Sequence, residues 1–340
     1  MKILVLTSRY TATRDIIGED FGRQARLFSA LRKLGHEIDF FCADYRKFEN
    51  KNIKLHGVSV FIRPFGVFYF FNFLANLSKI LKNKKYDVLI STSDPLWGIV
   101  GCIFAKRHKI KFLYDLHDNY ETYATYRIPF FRLADNYAIK KANLVTTVSY
   151  ALKDKIKPIR KDNVFVMQNG VDVNLFRPMN RLQCRKSLNL PIKAKIIAYA
   201  GSIQRLQGVN LLVDAFNDLK KEVKCLKLAI AGRFYGNEAK HINLNHEGII
   251  YLKSLTQDKV AKLINAADVA VVPNPENSFT KYCFPYKVVE YMACNKQIVA
   301  TDVGDVGIFL REFKNSLCKE NDKIDMMKKI KMQLSGFDKI

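Results

Sequence analysis

The residue types in the segment Ser278–Asp305, SFTKYCFPYKVVEYMACNKQIVATDVGD, are suited to binding a phosphorylated ligand. Pro285 is typical of a helix start, and a helix N-terminus directs backbone N–H groups and the positive end of its dipole into the preceding loop. Lys287 adds a positive charge in the first turn, and the carboxylate of Glu290 can accept hydrogen bonds from two neighbouring hydroxyls. A phosphate and a sugar diol bound side by side predict a nucleotide site.

A second candidate is the glycine turn in AYAGSIQRLQGVNLLVDAF. Gly201 and Gly208 enclose a loop that contains Arg205 and precedes a predicted helix, Val209–Val223. Such a loop can bring backbone amides close to a phosphate. Glycines between a strand and a helix also occur simply because the chain turns there, so this motif alone leaves both interpretations open.

A histidine at the end of a predicted strand is the third candidate. His117 follows Asp115 and precedes Asp118. A histidine flanked by carboxylates can donate to a hydroxyl or phosphate, or transfer a proton. The alternative is a solvated loop histidine without a chemical role. The loop after the first strand, TSRYTATRDIIGED, lacks the GxGxxG turn of a dinucleotide-binding fold, which argues against a hydride-transferring dehydrogenase.

These candidates must be positioned by elements that the apolar pattern predicts. Short apolar segments alternate with longer amphipathic ones, which is typical of parallel sheets covered by helices on both faces. The predicted strands are Ile3–Thr7, Ile38–Ala43, Val58–Arg63, Val88–Thr92, Phe112–Leu116, Leu144–Val148 and Val164–Gln168, then Ile196–Ala200, Leu228–Ala231, Ile249–Leu252, Val269–Pro273 and Ile298–Thr301. The predicted helices between them include Phe21–Leu34, Leu96–Arg107 and Phe130–Ala142.

The alternation pauses over Gly170–Lys195 and then restarts, which predicts two domains. We expect an α/β protein with an N-terminal domain over residues 1–175 and a C-terminal domain over residues 176–340, facing each other across a cleft. Open parallel sheets bind their ligands beyond the carboxyl ends of the strands, where all three candidates lie.

Composition indicates the kind of partner. Lys and Arg number 56 against 32 Asp and Glu, a net charge of +24, which favours anionic partners. Nucleic acid is disfavoured because no recognisable binding module is present. The seven cysteines never form a CxxC pair, so we expect reduced thiols and no metal site. We also expect no signal peptide and no membrane span, since no apolar run reaches about 18 residues.

An aromatic and basic segment, RPFGVFYFFNFLANLSKILKNKKYD, lies in the first half. Its aromatic residues precede a lysine-rich end, and a helix of this kind can lie in a membrane interface. The alternative is an apolar core helix with a solvated basic end. We regard an anionic membrane surface as a candidate partner of the region Phe65–Lys85, and leave the core interpretation open.

Taken together, the motifs resemble the family-4 retaining glycosyltransferases of the GT-B fold over nearly the whole chain. The matching segments are MKILVLTS, LRKLGHEIDFF, KYDVLISTSDP, LYDLHD, KKANLVTTVSYALKD, NGVDVNLFRP, YAGSIQRLQGVNLLVDAF, LAIAGR, AADVAVVPN and KVVEYMACNKQIVATDVGD. Each is weak by itself, but their common order makes a chance match improbable.

The resemblance implies two Rossmann-like domains and transfer of a sugar from a nucleotide sugar, UDP- or GDP-linked, with retention and without a metal ion or cofactor. Glu290 matches the family glutamate that binds the nucleotide ribose, and the helix start at Pro285 would face the donor phosphates. Gly201 matches the glycine of the phosphate loop. His117 matches the histidine that the first domain contributes near the transferred sugar.

The chain departs from the family pattern at three donor-side positions. Ser202 stands where the family usually has Arg, Gln207 where it has Lys, and Tyr282, eight positions before Glu290, where it has a second glutamate. One interpretation is that Lys287, with Arg205 or Arg233, replaces the missing cations and that Glu276 approaches the sugar. The other is a degenerate, non-catalytic partner. We favour the first, because several basic residues remain at strand ends.

The resulting hypothesis is a cytoplasmic enzyme, peripheral on the inner face of the cell membrane, that extends a lipid-linked or cell-envelope glycan. His117, Arg205 and Lys287 are the predicted catalytic residues. The predicted donor-binding residues are Gly201, Ser202, Arg233, Glu276, Tyr282, Pro285 and Glu290. The alternatives are a nucleotide-sugar epimerase of the same fold and a scaffold subunit that has lost catalysis.

Overall fold

The computed structural model of the protein describes residues 1–11, 14–18, 23–55 and 57–336. The chain divides into two compact units, unit 1 over Met1–Gln168 and unit 2 over Asn169–Ile340. The division lies a few residues before the expected one, because the connecting segment packs on unit 2. Phe176 joins an apolar cluster of unit 2, and the Asn169 side-chain amide donates to the carbonyl of Phe284 at 2.6 Å.

Unit 1 is built on a sheet with the strand order β10-β9-β8-β7-β1-β4-β6-β5. All neighbouring strands in it are parallel except the edge pair β5 and β6. A separate short antiparallel pair is formed by β2 and β3. The strands are β1 Lys2–Ser8, β2 Tyr10–Thr11, β3 Arg14–Asp15, β4 Glu37–Asp44, β5 Lys51–Leu55, β6 Val58–Pro64, β7 Val88–Ser91, β8 Lys111–Leu116, β9 Leu144–Thr147 and β10 Val164–Val166.

The helices of unit 1 cover both faces of this sheet. They are α1 Arg23–Lys33, α2 Phe70–Asn83, α3 Pro95–His108, α4 Phe131–Lys141 and α5 Tyr150–Ile156. The connection from β1 to β4 advances along the sheet in one direction, and those from β6 to β10 advance in the other. Because parallel crossovers are right-handed, α1 lies on one face and α2 to α5 lie on the opposite face.

Unit 2 contains a parallel sheet with the order β13-β12-β11-β14-β15-β16. The strands are β11 Lys195–Ala200, β12 Leu226–Ala231, β13 Ile249–Tyr251, β14 Val269–Val272, β15 Gln297–Thr301 and β16 Leu317–Cys318. The helices are α6 Arg181–Ser187, α7 Val209–Glu222, α8 Gln257–Ala266, α9 Tyr286–Ala293, α10 Asp305–Phe309 and α11 Lys323–Leu334. The last helix, α11, packs beside α7 through Met326 and Ile330.

The predicted α/β class is confirmed, and each predicted strand coincides with an observed one. The central strands are buried along nearly their whole length, as the continuous apolar runs indicated. The predicted helix Phe21–Leu34 corresponds to α1, although residues 21–22 lie outside the described part of the chain. We did not predict the edge strand β5, because KNIKL is too polar to stand out from a loop.

Two further expectations can be compared with the structure. Five of the cysteines are buried and Cys283 is half-buried, but Cys225 is exposed, since it occupies the turn before β12. No helix among the described residues is both long and apolar enough to span a membrane.

Candidate functional site

The strongest candidate site of unit 2 surrounds Lys287 in the first turn of α9. Its Nζ donates to the side-chain carbonyl of Gln207 at 3.0 Å and lies 5.2 Å from the centre of the Tyr199 ring. Burial lowers the pKa of this ammonium to about 8, against weaker opposing effects of Cys283 and Glu290. Among the described residues, no carboxylate lies within ion-pairing distance of it.

Gly201 makes room for this ammonium. The residue begins the turn after β11, where its N–H donates to the carbonyl of Ala231 at 2.9 Å. A Cβ atom placed on Gly201 would stand 3.1 Å from both Lys287 Nζ and the Tyr199 hydroxyl. The Tyr199 hydroxyl in turn donates to the carbonyl of Ser202 at 2.7 Å, which fixes the turn. The glycine therefore lets a cation approach the backbone of the loop closely.

Gly208 has a different role at the start of α7. Its φ of +73° lies in the left-handed region, and a Cβ atom there would overlap the carbonyl oxygen of Pro273. The loop between β11 and α7 therefore packs directly on the segment that follows β14, and only glycine permits this contact.

We expect Gly208→Ala to lower the free energy of unfolding by about 2 to 5 kcal/mol, the sum of the left-handed strain and the steric overlap. Gly236→Ala is the matched control, since Gly236 has a φ of +58° and nothing within 4 Å of its Cβ position. The control should lose only about 1 to 2 kcal/mol. Urea denaturation measures both, and equal losses would contradict the packing argument.

The other two predicted cations, Arg205 and Arg233, are exposed and do not contact the Lys287 ammonium. The Arg205 guanidinium is exposed and pairs with Glu238 at 3.2 Å, an ion pair that the sequence did not reveal. Arg233 is exposed after β12. The structure therefore brings Gln207, but not the Arg205 or Arg233 guanidinium, into contact with the Lys287 ammonium. Their predicted roles toward a ligand stay predictions.

Two predicted donor-binding residues lie in the loop before α9. Glu276 is exposed and pairs with Lys281 at 2.7 Å, while its backbone N–H donates to Glu320. Tyr282 is half-buried in a short 3₁₀ helix, Thr280–Tyr282. Neither arrangement places a carboxylate beside Lys287 in place of the family glutamate, and the function of both residues stays a prediction.

The start of α9 is fixed by its surroundings rather than by a capping side chain. Helix α9 begins at Tyr286, and Pro285 is its N-cap residue, with extended backbone angles. No side chain forms a capping hydrogen bond at this helix start. The preceding carbonyl, that of Phe284, accepts from the Asn169 side chain. Glu290 lies one turn after Lys287 on the same helix and is half-buried. The ammonium, the helix start and the carboxylate thus lie within the first two turns of one helix, α9.

In unit 1, His117 follows β8 and is held at one ring nitrogen. The Ser93 N–H donates to Nδ1 at 3.2 Å, and the Tyr120 hydroxyl lies 2.9 Å from the same atom. Because a backbone N–H can only donate, Nδ1 is the acceptor, and the proton of the neutral ring is on Nε2. Burial lowers the pKa of His117 to about 4. Nε2 is buried without a hydrogen-bond partner among the described residues.

A buried ion pair supports the strand end that carries His117. Asp115 accepts from Arg23 at 3.0 Å, from Thr92 at 2.9 Å and from Thr146 at 2.7 Å. These contacts join α1 and three neighbouring strands at the carboxyl edge of the sheet. The neighbouring carboxyl of Asp118 has its pKa raised to about 7 by burial. His117 is therefore a constrained hydrogen-bond donor and not a solvated loop residue.

Sequence reasoning missed the residues that hold the two central side chains. Gln207 was noted only as a departure from a pattern, yet it is the hydrogen-bond partner of Lys287. Tyr199 lies inside a buried strand, where an aromatic residue signals nothing beyond packing. Ser93 and Tyr120 contact His117 across the strand ends, and only strand pairing could have shown this.

Comparison with known families identifies both units. Residues 25–175 match the family model described as Glycosyltransferase Family 4, and residues 194–335 match the model described as Glycosyl transferases group 1. An uncharacterised glycosyltransferase of Methanocaldococcus jannaschii is 25% identical over 304 residues, which cover 86% of this chain and 79% of that protein. The putative teichuronic acid biosynthesis glycosyltransferase TuaC of Bacillus subtilis is 24% identical over 225 residues, covering 65% of this chain and 54% of that protein.

Solved structures share the fold. Sucrose-phosphate synthase from Thermosynechococcus elongatus matches with a TM-score of 0.75 and 17% identity, over 99% of this chain and 90% of that one. The Anabaena protein HepE in complex with UDP matches with a TM-score of 0.77 and 17% identity, over 99% and 91%. HepE is also known in complex with UDP-glucose. The predicted GT-B fold is confirmed by these matches.

Proposed function

The chain belongs to glycosyltransferase family 4, and from that premise we propose that it moves a sugar from a nucleoside-diphosphate sugar to a lipid-linked or cell-envelope glycan. The proposed reaction retains the anomeric configuration and needs no metal ion. The donor lies against unit 2, with its diphosphate at Lys287 and the start of α9. UDP-linked sugars are the first donors to consider, because HepE, a structural neighbour, binds UDP and UDP-glucose.

The observation that carries this proposal is the environment of Lys287. Its ammonium is held by a neutral amide and an aromatic ring, beside a glycine turn and a helix N-terminus. The amide and the ring leave the positive charge uncompensated, and the glycine turn and the helix N-terminus favour a bound anion. A departing diphosphate gains negative charge as the glycosidic bond breaks, so a cation fixed at this point stabilises the transition state more than the ground state.

The remaining roles follow from the chemistry of each side chain. Glu290 accepts from the ribose hydroxyls of the donor, and the turn at Gly201 lies against the phosphates. Nε2–H of His117 donates to a hydroxyl of the transferred sugar. Arg205, Arg233 and Glu276 are secondary contacts, and Ser202 and Tyr282 complete the donor pocket. The TuaC relative, named for teichuronic acid biosynthesis, supports a cell-envelope acceptor.

Incubation with a panel of labelled UDP- and GDP-sugars and a lipid extract tests the proposal. Release of nucleotide that depends on an acceptor, with an α-linked product from an α-linked donor in NMR, is the expected result. An inverted product would contradict retention. Conversion of the nucleotide sugar without any acceptor would instead identify an epimerase, and no conversion at all would support a scaffold subunit.

The pKa of Lys287 predicts a specific pH dependence of nucleotide binding. Because this pKa lies near 8 and not near 10.5, the positive charge disappears as the pH rises through about 8 in the unliganded protein. The dissociation constant of UDP or GDP should rise about 5- to 6-fold between pH 8 and pH 9, because the charged fraction of Lys287 falls from about one half to about one eleventh. Lys287→Arg is the control, since a guanidinium stays charged and should remove this dependence. The same dependence in both proteins would assign it to another group.

We further propose that the enzyme is cytoplasmic and contacts the inner face of the membrane through Phe65–Lys85. In this region Phe73, Leu77 and Leu81 are buried and hold α2 against the sheet. Phe68 and Phe71 are exposed. The core interpretation therefore applies to one face of α2. The exposed aromatic residues at its N-terminal end support the proposed membrane contact.

A further inference from the structure

Helices α2, α3 and α4 lie side by side on the same face of the unit 1 sheet. Each connects parallel strands by a crossover in the same direction, and α3 packs against both α2 and α4. Together with the turns that precede α2 and α4, they form a continuous outer layer. We call this layer, residues 67–83, 95–108 and 127–141, the three-helix face.

Large apolar side chains project from the three-helix face at two separate points. At the first, before and in the first turn of α2, Phe68 is 96% and Phe71 is 82% exposed. At the second, around the start of α4, Phe130 is 80% and Leu133 is 66% exposed. Further exposed apolar residues on this face are Val67, Ile103, Ile128 and Tyr137. Clustered apolar exposure of this kind marks an interaction surface.

The two points lie at the same edge of unit 1. Helix α2 follows β6 in the chain, and α4 follows β8 after the intervening segment 117–130. As crossover helices, both return from the carboxyl edge of the sheet, so their N-terminal ends lie toward that edge. His117 follows β8 at the same edge. The projecting side chains therefore lie on the end of unit 1 that carries the proposed chemistry, with the N-terminus of α3 between them.

The backbone at Phe130 is an independent indication that its exposure has a function. Phe130 has a φ of +62°, which is a rare and strained conformation for a bulky residue. The next residue, Phe131, is buried in the core. This backbone conformation thus directs the Phe130 ring into solvent, while the ring of the next residue packs inward.

The charges of the three-helix face are of one sign. Within α2, α3 and α4 the only acidic residue is Asp135, which is buried and hydrogen-bonded to Tyr114 and Tyr126. The exposed basic residues of the three helices are Lys79, Lys82, Lys106, Arg107, Arg132, Lys140 and Lys141. Arg132 pairs at 3.5 Å with Glu121, an exposed carboxylate just outside the three helices. A surface that combines projecting aromatic rings with this excess of positive charge is complementary to anionic lipid headgroups over an acyl layer.

We propose that the three-helix face docks on an anionic lipid bilayer at two anchors, residues 67–71 and residues 128–133. This inference rests on the proposed lipid-linked acceptor and adds to the α2 segment a second, independent anchor at α4. Two anchors on the three-helix face fix the orientation of unit 1 on the bilayer. An acceptor whose reactive hydroxyl lies close to its lipid anchor would then reach His117 without leaving the membrane.

Vesicle flotation with the full chain tests this inference. The probes are vesicles of phosphatidylcholine alone and vesicles of equal parts phosphatidylcholine and phosphatidylglycerol. The wild type should bind the anionic vesicles, and Phe130→Ser with Leu133→Ser should reduce the bound fraction at least about tenfold, as should Phe68→Ser with Phe71→Ser. The matched control is Leu182→Ser with Ile324→Ser, which removes two exposed apolar residues from unit 2 and should bind like the wild type.

Three results would overturn the proposal: no binding of the wild type to anionic vesicles, equal binding of the Phe130 and Leu133 variant, or a self-association that these substitutions abolish. The last result would identify a second copy of the chain as the occupant. Calorimetry with UDP and GDP on the same samples distinguishes a failure of the docking proposal from a failure of the proposed function. Retained nucleotide binding without vesicle binding contradicts only the docking surface.

Discussion

Lys287→Ala should lower kcat/KM for sugar transfer by about 10²- to 10³-fold, the loss seen when one preorganised transition-state donor is removed. Within the part of the chain that the structure describes, the Lys287 ammonium has no carboxylate partner, whereas Arg205 and Lys281 each pair with one. Its removal deprives the departing diphosphate of its main countercharge. Transfer rates measured over a range of donor concentrations, with the preferred donor from the panel, give kcat and KM separately.

Lys281→Ala is the matched control for this variant. Lys281 lies in the same loop region but is exposed and already paired with Glu276, so its loss should change kcat/KM less than threefold or so. Lys287→Arg retains a positive charge and should recover part of the activity, limited by the space beside Gly201. Full activity in Lys287→Ala, with a folded protein, would remove this residue from the mechanism.

His117→Ala should lower kcat by roughly 10- to 100-fold and leave the dissociation constant of UDP or GDP nearly unchanged. The ring offers one buried donor, Nε2–H, and the loss of a hydrogen bond to a group that gains charge is worth about 1.5 to 3 kcal/mol. Because burial lowers its pKa to about 4, His117 stays neutral from pH 5 upward, and kcat should show no inflection near pH 6.5 from this residue.

Tyr120→Phe is the companion variant for His117. It removes the hydroxyl 2.9 Å from Nδ1 but leaves the Ser93 N–H, so the tautomer should be preserved and the loss of kcat should be smaller. A loss in Tyr120→Phe as large as in His117→Ala would show that the ring is positioned mainly by Tyr120. A large loss of nucleotide affinity in His117→Ala would contradict a role confined to the transferred sugar.

The sequence was sufficient to predict the architecture, because the central strands of parallel sheets are apolar along their whole length. Strands β1 and β14 could be located from such runs alone, and their centres, Leu4–Leu6 and Val269–Val272, are fully buried. The edge strand β5 could not be located, since its burial alternates with exposure and its residues are polar. Exposed edge strands therefore give the weakest local sequence signal for strand prediction.

The candidate site was predicted less completely, because its geometry depends on contacts between distant residues. The helix start at Pro285 was visible as a local pattern, but the partner of Lys287 lies 80 positions earlier in the chain. Arg205 was predicted to replace one of the missing family cations, and only the fold reveals that Glu238 pairs with it. Side-chain pairing across loops is set by the tertiary structure, and a single sequence does not encode it in any local pattern.

A crystal structure of the protein with bound UDP or GDP tests the central claim most directly. We predict that diphosphate oxygens lie within hydrogen-bonding distance of Lys287 Nζ and of the first backbone N–H groups of α9, with the ribose hydroxyls at Glu290. A nucleotide bound elsewhere on unit 2, with the Lys287 ammonium still on Gln207 and no phosphate beside it, would contradict the account.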